Sequence, residues 1–421
     1  MYLDQILAAQ KADEARGIVS ICSAHPWVLK AAMLRHAGPL LIEATCNQVN
    51  QFGGYTGMTP RDFFAYVTGI AKQTGFPVEQ LLLGGDHLGP SVWKNEPAAS
   101  AMEKSKTLVK NYVQAGFTKI HLDTSMRLGD DPEGILDVEL IARRAAMLAK
   151  YAEETTEDAS HLRYVIGTEV PTPGGAQENK DNVHITTLES ACQTIDSTRQ
   201  AFLHEHLDSA WERVSALVVH PGVEFGDDFV LPYVPHTAAA LSKFIESQPM
   251  IYEAHSTDYQ TWTALREMVR DHFAILKVGP ALTYAFREAI FWLAKVEEDL
   301  ISTDSRSNIV AVLDTVMLER PKHWLAYYHG TEEQTARKRM FSLSDRIRYY
   351  WSEPNVQKAL NRLLANLSKV DISSALLRNN KAQTVTGIQP QGSFITTEQF
   401  ISANIQNILN SYEWAVGGLS E

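Results

Sequence analysis

Short apolar runs recur along the chain from Gly17 to Gly279. There are eight of them, mostly aliphatic and β-branched, and most are nearly continuous rather than alternating with polar residues. Runs of this kind are typical of parallel strands that are buried on both faces. We therefore predict eight parallel strands, at Gly17–Ser23, Pro39–Thr45, Leu81–Asp86, Thr118–Thr124, Tyr164–Val170, Ala216–Gly222, Met250–His255 and Phe273–Gly279.

Segments with helical periodicity separate these runs. Between the fourth and fifth runs, for example, Val138, Ile141, Ala145 and Leu148 share one face of a helix. Alternating strands and helices form either an open doubly wound sheet or a closed (β/α)8 barrel. Eight such units, without a G-x-G-x-x-G motif after the first strand, favour the α/β fold known as the TIM barrel.

The pattern changes after about residue 300, where helical periods continue without convincing strands. We predict a barrel over residues 1–300, with its site at the C-terminal ends of the strands, and an α-helical extension over residues 301–421. The extension is interpreted as a lid over the barrel, as an interface for another subunit, or as packing against the outer helices. The residues of the extension that are candidates for substrate contact are Arg346, Arg348 and Tyr349–Trp351. For the two arginines, however, we expect a position on a solvated helix face.

Composition and charge narrow the classes of function. The 421 residues have a net charge of -12 and no block of Lys and Arg, which argues against nucleic acid or an anionic membrane as a partner. Cys22, Cys46 and Cys192 form no metal or disulfide pattern, and no run reaches the roughly 18 apolar residues of a membrane span. No secretion signal is seen at the N-terminus. We expect a cytoplasmic homo-oligomer that binds small molecules.

Histidines end three of the predicted strands. In a (β/α)8 barrel, side chains at the C-terminal ends of the strands form the active site. His87, His220 and His255 end strands 3, 6 and 7, and Glu169 ends strand 5. A single histidine is more often a hydrogen-bonded core residue, but three at one end of the barrel predict a divalent metal, zinc first, with Mn, Ni or Co as alternatives. The remaining histidines, including His121 within strand 4, are interpreted as structural or exposed.

Carboxylates at the same strand ends are candidates for proton transfer. Asp86 directly precedes a predicted ligand and is the preferred general acid or base. Asp123 is a second candidate, although orienting a ligand histidine is nearly as good an interpretation. Glu169 is either a fourth metal ligand or a nearby base.

Substrate contacts are expected from strand 2 and the loop after it. Glu43 lies near the end of the strand, and the loop contains Asn47 and Gln48 among four amides and three glycines. Amide side chains can bond the hydroxyls of a sugar, and glycines let the backbone approach a ligand. We favour a substrate loop over a plain turn.

The segments after strands 7 and 8 are the second expected substrate region. Backbone N–H groups near Ser256 and Gly279 lie where barrels of this kind bind phosphate, although Asp258 would repel an anion unless it binds a sugar hydroxyl instead. Lys277 is a further contact, with a Schiff base as a minor alternative.

Long motifs around these residues resemble the GatZ/KbaZ family over nearly the whole chain. They include LGGDHLGP, KIHLDTSM, VIGTEVPTPGG, VVHPGVEF and YEAHSTDYQT. The resemblance implies an accessory subunit of class II tagatose-bisphosphate aldolase, paired with a separate catalytic chain. The order Asp-His, Asp, Glu, His, His also resembles that of the class II aldolases themselves, which are (β/α)8 barrels with three histidines on zinc.

One position separates the functions that the resemblance implies. The accessory subunits have Gln in the motif VVQPGVEF where this chain has His220, and some relatives are assigned ketohexose 4-epimerase activity. We predict a metal-dependent 4-epimerase of tagatose-type and fructose-type ketoses, free or as 6-phosphates, that breaks and re-forms the bond between C3 and C4. The alternatives are a non-catalytic subunit required by a class II tagatose-1,6-bisphosphate aldolase, or that aldolase itself.

Overall fold

Eight parallel strands close into a single barrel in the computed structural model of the chain, which describes residues 2–35, 38–170, 184–372 and 395–417. The last strand pairs with the first, with Ile275 opposite Ile18, so the predicted (β/α)8 barrel is confirmed. A small antiparallel hairpin of two strands, β7 and β8, follows the sixth barrel strand and was not predicted. The strands are β1 (Ile18–Ile21), β2 (Leu40–Thr45), β3 (Leu81–Leu88), β4 (Lys119–Leu122), β5 (Arg163–Ile166), β6 (Val214–Val218), β7 (Glu224–Phe225), β8 (Val230–Leu231), β9 (Ile251–Ala254) and β10 (Phe273–Val278).

Helices surround the barrel and begin with clear signals. The third helix starts with a capping box between Thr59 and Asp62, has Pro60 in its first turn, and ends at Gly75 with a φ of 74°. None of the described helices is long and apolar enough to cross a membrane. The helices are α1 (Tyr2–Lys11), α2 (Pro26–Arg35), α3 (Pro60–Thr74), α4 (Ala98–Gln114), α5 (Val138–Thr155), α6 (Leu188–His204), α7 (Asp208–Trp211), α8 (Pro235–Ile245), α9 (Trp262–Arg270), α10 (Pro280–Leu300), α11 (Ile309–Glu319), α12 (Glu332–Phe341), α13 (Pro354–Leu367) and α14 (Thr397–Ala415).

The barrel interior contains charged side chains among its apolar walls, and glycine makes room for one of them. Glu43 of β2 is fully buried and lies over Gly84 of β3, its partner in the strand register. A Cβ atom at Gly84 would lie 2.7 Å from Cγ of Glu43. Gly84 of β3 therefore allows a long acidic side chain to fit inside the barrel.

The α-helical extension packs back onto the barrel. Helix α14 contacts α2, α9 and α10, and Arg266 of α9 donates hydrogen bonds to the carbonyls of Ala15 and Ala415. A 3-10 turn at Arg346–Tyr349 contacts α10 and α12. The presence of a helical extension is confirmed, and the domain boundary at residue 300 stays a prediction.

Candidate active site

Four buried side chains meet at the C-terminal ends of β3, β4 and β9. They are Asp86, His87, His121 and His255, and we call them the imidazole cluster. One nitrogen or oxygen atom from each lies within 4.8 Å of the corresponding atoms of the others. Three imidazoles and a carboxylate at this spacing have the chemistry of a site for zinc or a similar divalent ion.

Carboxylates behind the cluster orient two of its rings. His87 Nδ1 lies 2.7 Å from Asp123 Oδ2, and His255 Nε2 lies 3.0 Å from Glu253 Oε1. When one ring nitrogen donates to a carboxylate, the other presents its lone pair, which is the usual arrangement around metal-bound histidine. Asp123 therefore takes the orienting position that was the second interpretation of its sequence pattern.

The third ring has a buried nitrogen without a hydrogen-bond partner. His121 Nδ1 lies 2.9 Å from Asp86 Oδ1, and the backbone N–H of His87 also points at it from 3.2 Å. Burial alone would raise the pKa of Asp86, but His87, Lys277 and His121 outweigh it and hold that pKa well below its ordinary value. The two contacts exclude each other, because Nδ1 can accept from the His87 N–H only when it carries no proton. Since a charged carboxylate only accepts, we assign the Nδ1 proton to the shorter contact with Asp86. Nε2, which has no hydrogen-bond partner, then has a free lone pair.

A layer of buried ion pairs supports the cluster from inside the barrel. Lys119 Nζ lies 2.8 Å from Glu43 and 2.6 Å from Glu253. Lys277 Nζ contacts Asp86 and lies 3.4 Å from Glu253. Burial lowers the pKa of Lys277, but the surrounding carboxylates outweigh burial and raise it well above its ordinary value. Lys277 is therefore held as an ammonium ion, which disfavours the Schiff-base alternative.

The charges of this interior do not balance. Four carboxylates, those of the ion-pair layer and Asp123, face two ammonium groups. With neutral imidazoles the interior has two surplus negative charges, which is the charge that one divalent cation would neutralise. Burial lowers the pKa of His87, but Asp86 and Asp123 outweigh burial and raise it. The donor set, the unpartnered nitrogen and the charge all fit a divalent metal.

The structure does not bring Glu169 or His220 into the imidazole cluster. Glu169 accepts hydrogen bonds of 2.6 and 2.5 Å from the hydroxyls of Thr186 and Ser190. His220 Nε2 lies 3.8 Å from Glu224 instead. The predicted metal ligands His87, His220, His255 and Glu169 therefore do not all lie together. Of these four residues, only His87 and His255 belong to the imidazole cluster. The reason is local, because β5 ends at Ile166 and β6 at Val218, so both side chains lie in loops beyond the strands.

A cavity of about 590 Å³ opens in front of the cluster, and we call it the inner cavity. Glu43, a predicted substrate contact, does not line it and is instead paired with Lys119 inside the barrel. Nine of the predicted site residues do line it, namely Asn47, Gln48, Asp86, His87, His255, Ser256, Asp258, Lys277 and Gly279.

The extension also contributes to the cavity wall. Arg348 and Tyr349 line the inner cavity together with Tyr55 of the strand-2 loop. Arg348 Nη2 donates a 2.9 Å hydrogen bond to the Tyr349 hydroxyl, and Tyr55 packs edge-on against the Tyr349 ring at 4.8 Å. Arg348 and Tyr349 are among the residues predicted from the sequence to contact substrate, but Arg348 was expected on a solvated helix face.

A second, larger cavity continues from the inner one. It measures about 1050 Å³, and we call it the outer cavity. Gln48, Tyr55 and Arg348 border both cavities, while His25 and Trp351 line only the outer one. A ligand longer than the inner cavity can therefore extend past the arginine.

Two residues at the inner cavity have strained backbones. His87 has a φ of 48° and Ser256 a φ of 55°, in the left-handed region that side chains other than glycine rarely adopt. Strain of this kind persists where the surrounding structure enforces it, and it clusters at active sites.

Comparison with known proteins gives the family. A profile of the family described as "D-tagatose-1,6-bisphosphate aldolase subunit GatZ/KbaZ-like" matches residues 3–417. The chain belongs to the GatZ/KbaZ-like family. It is 51% identical over 417 residues to the D-tagatose-1,6-bisphosphate aldolase subunit GatZ of Salmonella paratyphi B, with 98% of both chains covered. The Salmonella typhimurium protein of the same name is 50% identical over the same share of both chains.

A solved structure is similar to the GatZ/KbaZ-like chain over almost its full length. The crystal structure of a probable tagatose 6 phosphate kinase from Sinorhizobium meliloti 1021 is 43% identical, with a TM-score of 0.87. The match covers 95% of this chain and 100% of that one.

Proposed function

We propose that this chain is a subunit of a class II D-tagatose-1,6-bisphosphate aldolase and acts together with a separate catalytic chain. The names of the relatives support this, because the identity of 50 to 51% extends over 98% of both chains. The test is co-expression of the chain with a class II aldolase catalytic subunit, followed by assay of tagatose 1,6-bisphosphate cleavage. If the catalytic subunit loses cleavage activity when this chain is omitted, the proposal is supported. If the activity and half-life of the catalytic subunit are the same with and without this chain, the proposal is contradicted.

We also propose that the chain has a catalytic site of its own, as a metal-dependent ketose 4-epimerase. The observation that supports this is the imidazole cluster at the floor of an open cavity that Asn47, Gln48 and Arg348 also line. A subunit that only stabilised its partner would gain nothing from a buried, negatively charged donor set, because burying such groups is costly.

The chemistry explains why a site of the aldolase type suits epimerisation at C4. This carbon is β to the ketose carbonyl, so loss of its hydrogen gives no stabilised carbanion. Cleavage between C3 and C4, rotation of the resulting aldehyde and re-formation of the bond invert C4 instead. A divalent metal held by His87, His121 and His255 would act as a Lewis acid on the carbonyl.

The remaining steps fall to the side chains of the inner cavity. Asn47 and Gln48 are placed to bind hydroxyls, and Tyr55, Arg348 and Tyr349 form a wall that keeps the aldehyde in place. Asp86 remains the proposed proton acceptor for the C4 hydroxyl. Because His87 and Lys277 hold it as a carboxylate, it is in the form that accepts a proton.

The test separates the two proposals. The chain is incubated with D-fructose, D-tagatose and their 6-phosphates, with Zn²⁺ or with chelator, and products are separated by chromatography. Epimer formation that disappears with chelator and in His121→Gln, but persists in His204→Gln, supports the epimerase. His204 is the control because its side chain is 86% exposed. If no epimer forms from any of the four sugars, the epimerase proposal is wrong, and the aldolase-subunit proposal is unaffected.

A further inference from the structure

The start of helix α10 has no donor left for a phosphate. In (β/α)8 barrels a phosphate commonly binds at the loops and helix starts after the last two strands. Here Pro280 has no N–H, and the N–H groups of Gly279 and Ala281 donate to Asp258 Oδ1 at 3.1 and 2.8 Å. The N–H of Leu282 donates to the carbonyl of Gly279 at 3.1 Å. The donors that the start of α10 would offer a phosphate are therefore already used.

Asp258 places a carboxylate where that phosphate would lie. It is buried and lines the inner cavity beside the imidazole cluster. Both backbone bonds reach Oδ1, so Oδ2 keeps the capacity to accept a bond from a ligand hydroxyl. The nearby cation, Arg348, offsets this charge only in part, because its guanidinium donates its hydrogen bonds to the carbonyls of Ser344 and Asp345 and to the hydroxyl of Tyr349.

The two cavities match the two unequal arms of a ketose. If the oxygens of C2 and C3 lie at the imidazole cluster, one carbon remains on one side and three on the other. The inner cavity, with Asp258 in its wall, has room for the short arm. The long arm fits the passage past Gln48, Tyr55 and Arg348 into the outer cavity, which at about 1050 Å³ has room for a phosphate on C6.

We propose that Asp258 binds the free C1 hydroxyl of a ketose and excludes ketoses that are phosphorylated at C1. This inference rests on the proposed ketose site of the chain. It makes the site accept free ketoses and 6-phosphates and reject 1-phosphates and 1,6-bisphosphates. In an aldolase complex, the bisphosphate would then bind to the partner chain.

The test is calorimetric binding of three probes, D-fructose, D-fructose 6-phosphate and D-fructose 1-phosphate, to the full chain with Zn²⁺ present. The wild-type protein should bind the 1-phosphate at least tenfold more weakly than the 6-phosphate. Asp258→Ser removes the charge and frees two N–H groups, so it should raise affinity for the 1-phosphate at least tenfold. Asp258→Asn keeps an acceptor for both N–H groups and should give a smaller gain.

A control variant that removes a negative charge elsewhere separates the effect of the position of Asp258 from the effect of net charge. Asp228→Asn removes one exposed negative charge and should leave all three affinities unchanged. If the wild-type protein binds the 1-phosphate as tightly as the 6-phosphate, or if Asp228→Asn and Asp258→Asn change affinity equally, the inference is wrong. If none of the three probes binds, both this inference and the epimerase proposal are contradicted. If Asp258→Ser does not fold, the Asn variant decides.

Discussion

A single buried carboxylate makes the stability of the protein depend on pH. Burial raises the pKa of Asp258 to about 6 from an ordinary value of 3.8. A folded-state pKa above the unfolded one means that the contribution of this group to stability is full below about pH 4 and is lost as the pH rises through 6. Asp258→Asn should therefore stabilise the fold at pH 8, by on the order of 1–3 kcal/mol.

Urea unfolding of the wild-type and Asp258→Asn proteins at pH 5 and pH 8 measures this effect. The gain in the free energy of unfolding should be larger at pH 8, because Asp258 is mostly protonated at pH 5. An equal gain at both values would show that the side-chain change itself, and not the charge, is responsible.

The third imidazole of the site can be identified by its effect on metal binding. His121 and His220 each have a buried ring nitrogen without a hydrogen-bond partner, but His121 belongs to the imidazole cluster, whereas His220 lies in a loop beside Glu224. His121→Gln should weaken Zn²⁺ binding by roughly 100-fold, and His220→Gln should change it less than threefold. Elemental analysis after dialysis, together with the visible spectrum of the Co²⁺-loaded protein, gives the occupancy and the number of nitrogen ligands. The opposite ranking would favour the set predicted from the sequence.

Sequence periodicity located part of this site and missed the rest for a physical reason. Asp86, His87 and His255 end apolar runs, so the rule that strand ends form the site found them. His121 lies inside a strand, although it shares a face with Asp123 two residues later, and that period of two was an available signal. Arg348 reaches the cavity only through packing of the extension onto the barrel, which no local pattern encodes.

Apolar runs predicted every barrel strand, but several of the predicted strands are longer than the observed ones. The run at strand 6 continues through Val219, and Val223 follows shortly after, although β6 ends at Val218. Both valines are buried in the core, at 1% and 0% exposure. Hydrophobicity reports burial and not hydrogen bonding, so it cannot separate a strand from a buried loop. Because of this ambiguity, Glu169 and His220 were predicted at strand ends although they lie in loops.

Helix α14 is tied to the site through one hydroxyl, and this link can be tested. The Tyr412 hydroxyl donates a buried 2.8 Å hydrogen bond to the carbonyl of Thr257, the residue before Asp258. Tyr412→Phe leaves that carbonyl without this donor and should lower the free energy of unfolding by about 1–2 kcal/mol. Tyr2→Phe, on a half-buried residue of α1, is the control and should cost less than about 0.5 kcal/mol. Chemical denaturation measures both, and equal costs would show that α14 is held by its apolar face alone.

Surplus negative charge extends from the surface of the protein to its interior. The net charge is -12, and the barrel interior has four carboxylates against two ammonium groups. Like charges inside a compact core destabilise it unless they are neutralised. The three strands that carry the imidazole cluster, β3, β4 and β9, meet only in the folded barrel, so a cation that binds there binds the native state and not the unfolded chain.

Removal of metal should therefore lower the melting temperature. A ligand that binds only the native state stabilises it by about 2.7 kcal/mol at 100 times its dissociation constant. We expect Zn²⁺, added to chelator-treated protein, to raise the melting temperature by a few degrees, and Mg²⁺ to do so less, because imidazole ligands favour zinc over magnesium. In the double variant His121→Gln/His255→Gln the Zn²⁺ effect should disappear. Differential scanning calorimetry measures the shift. An equal shift in the double variant would place the stabilising ion elsewhere, and the surplus charge of the barrel interior would then have to be neutralised by protons on the imidazoles.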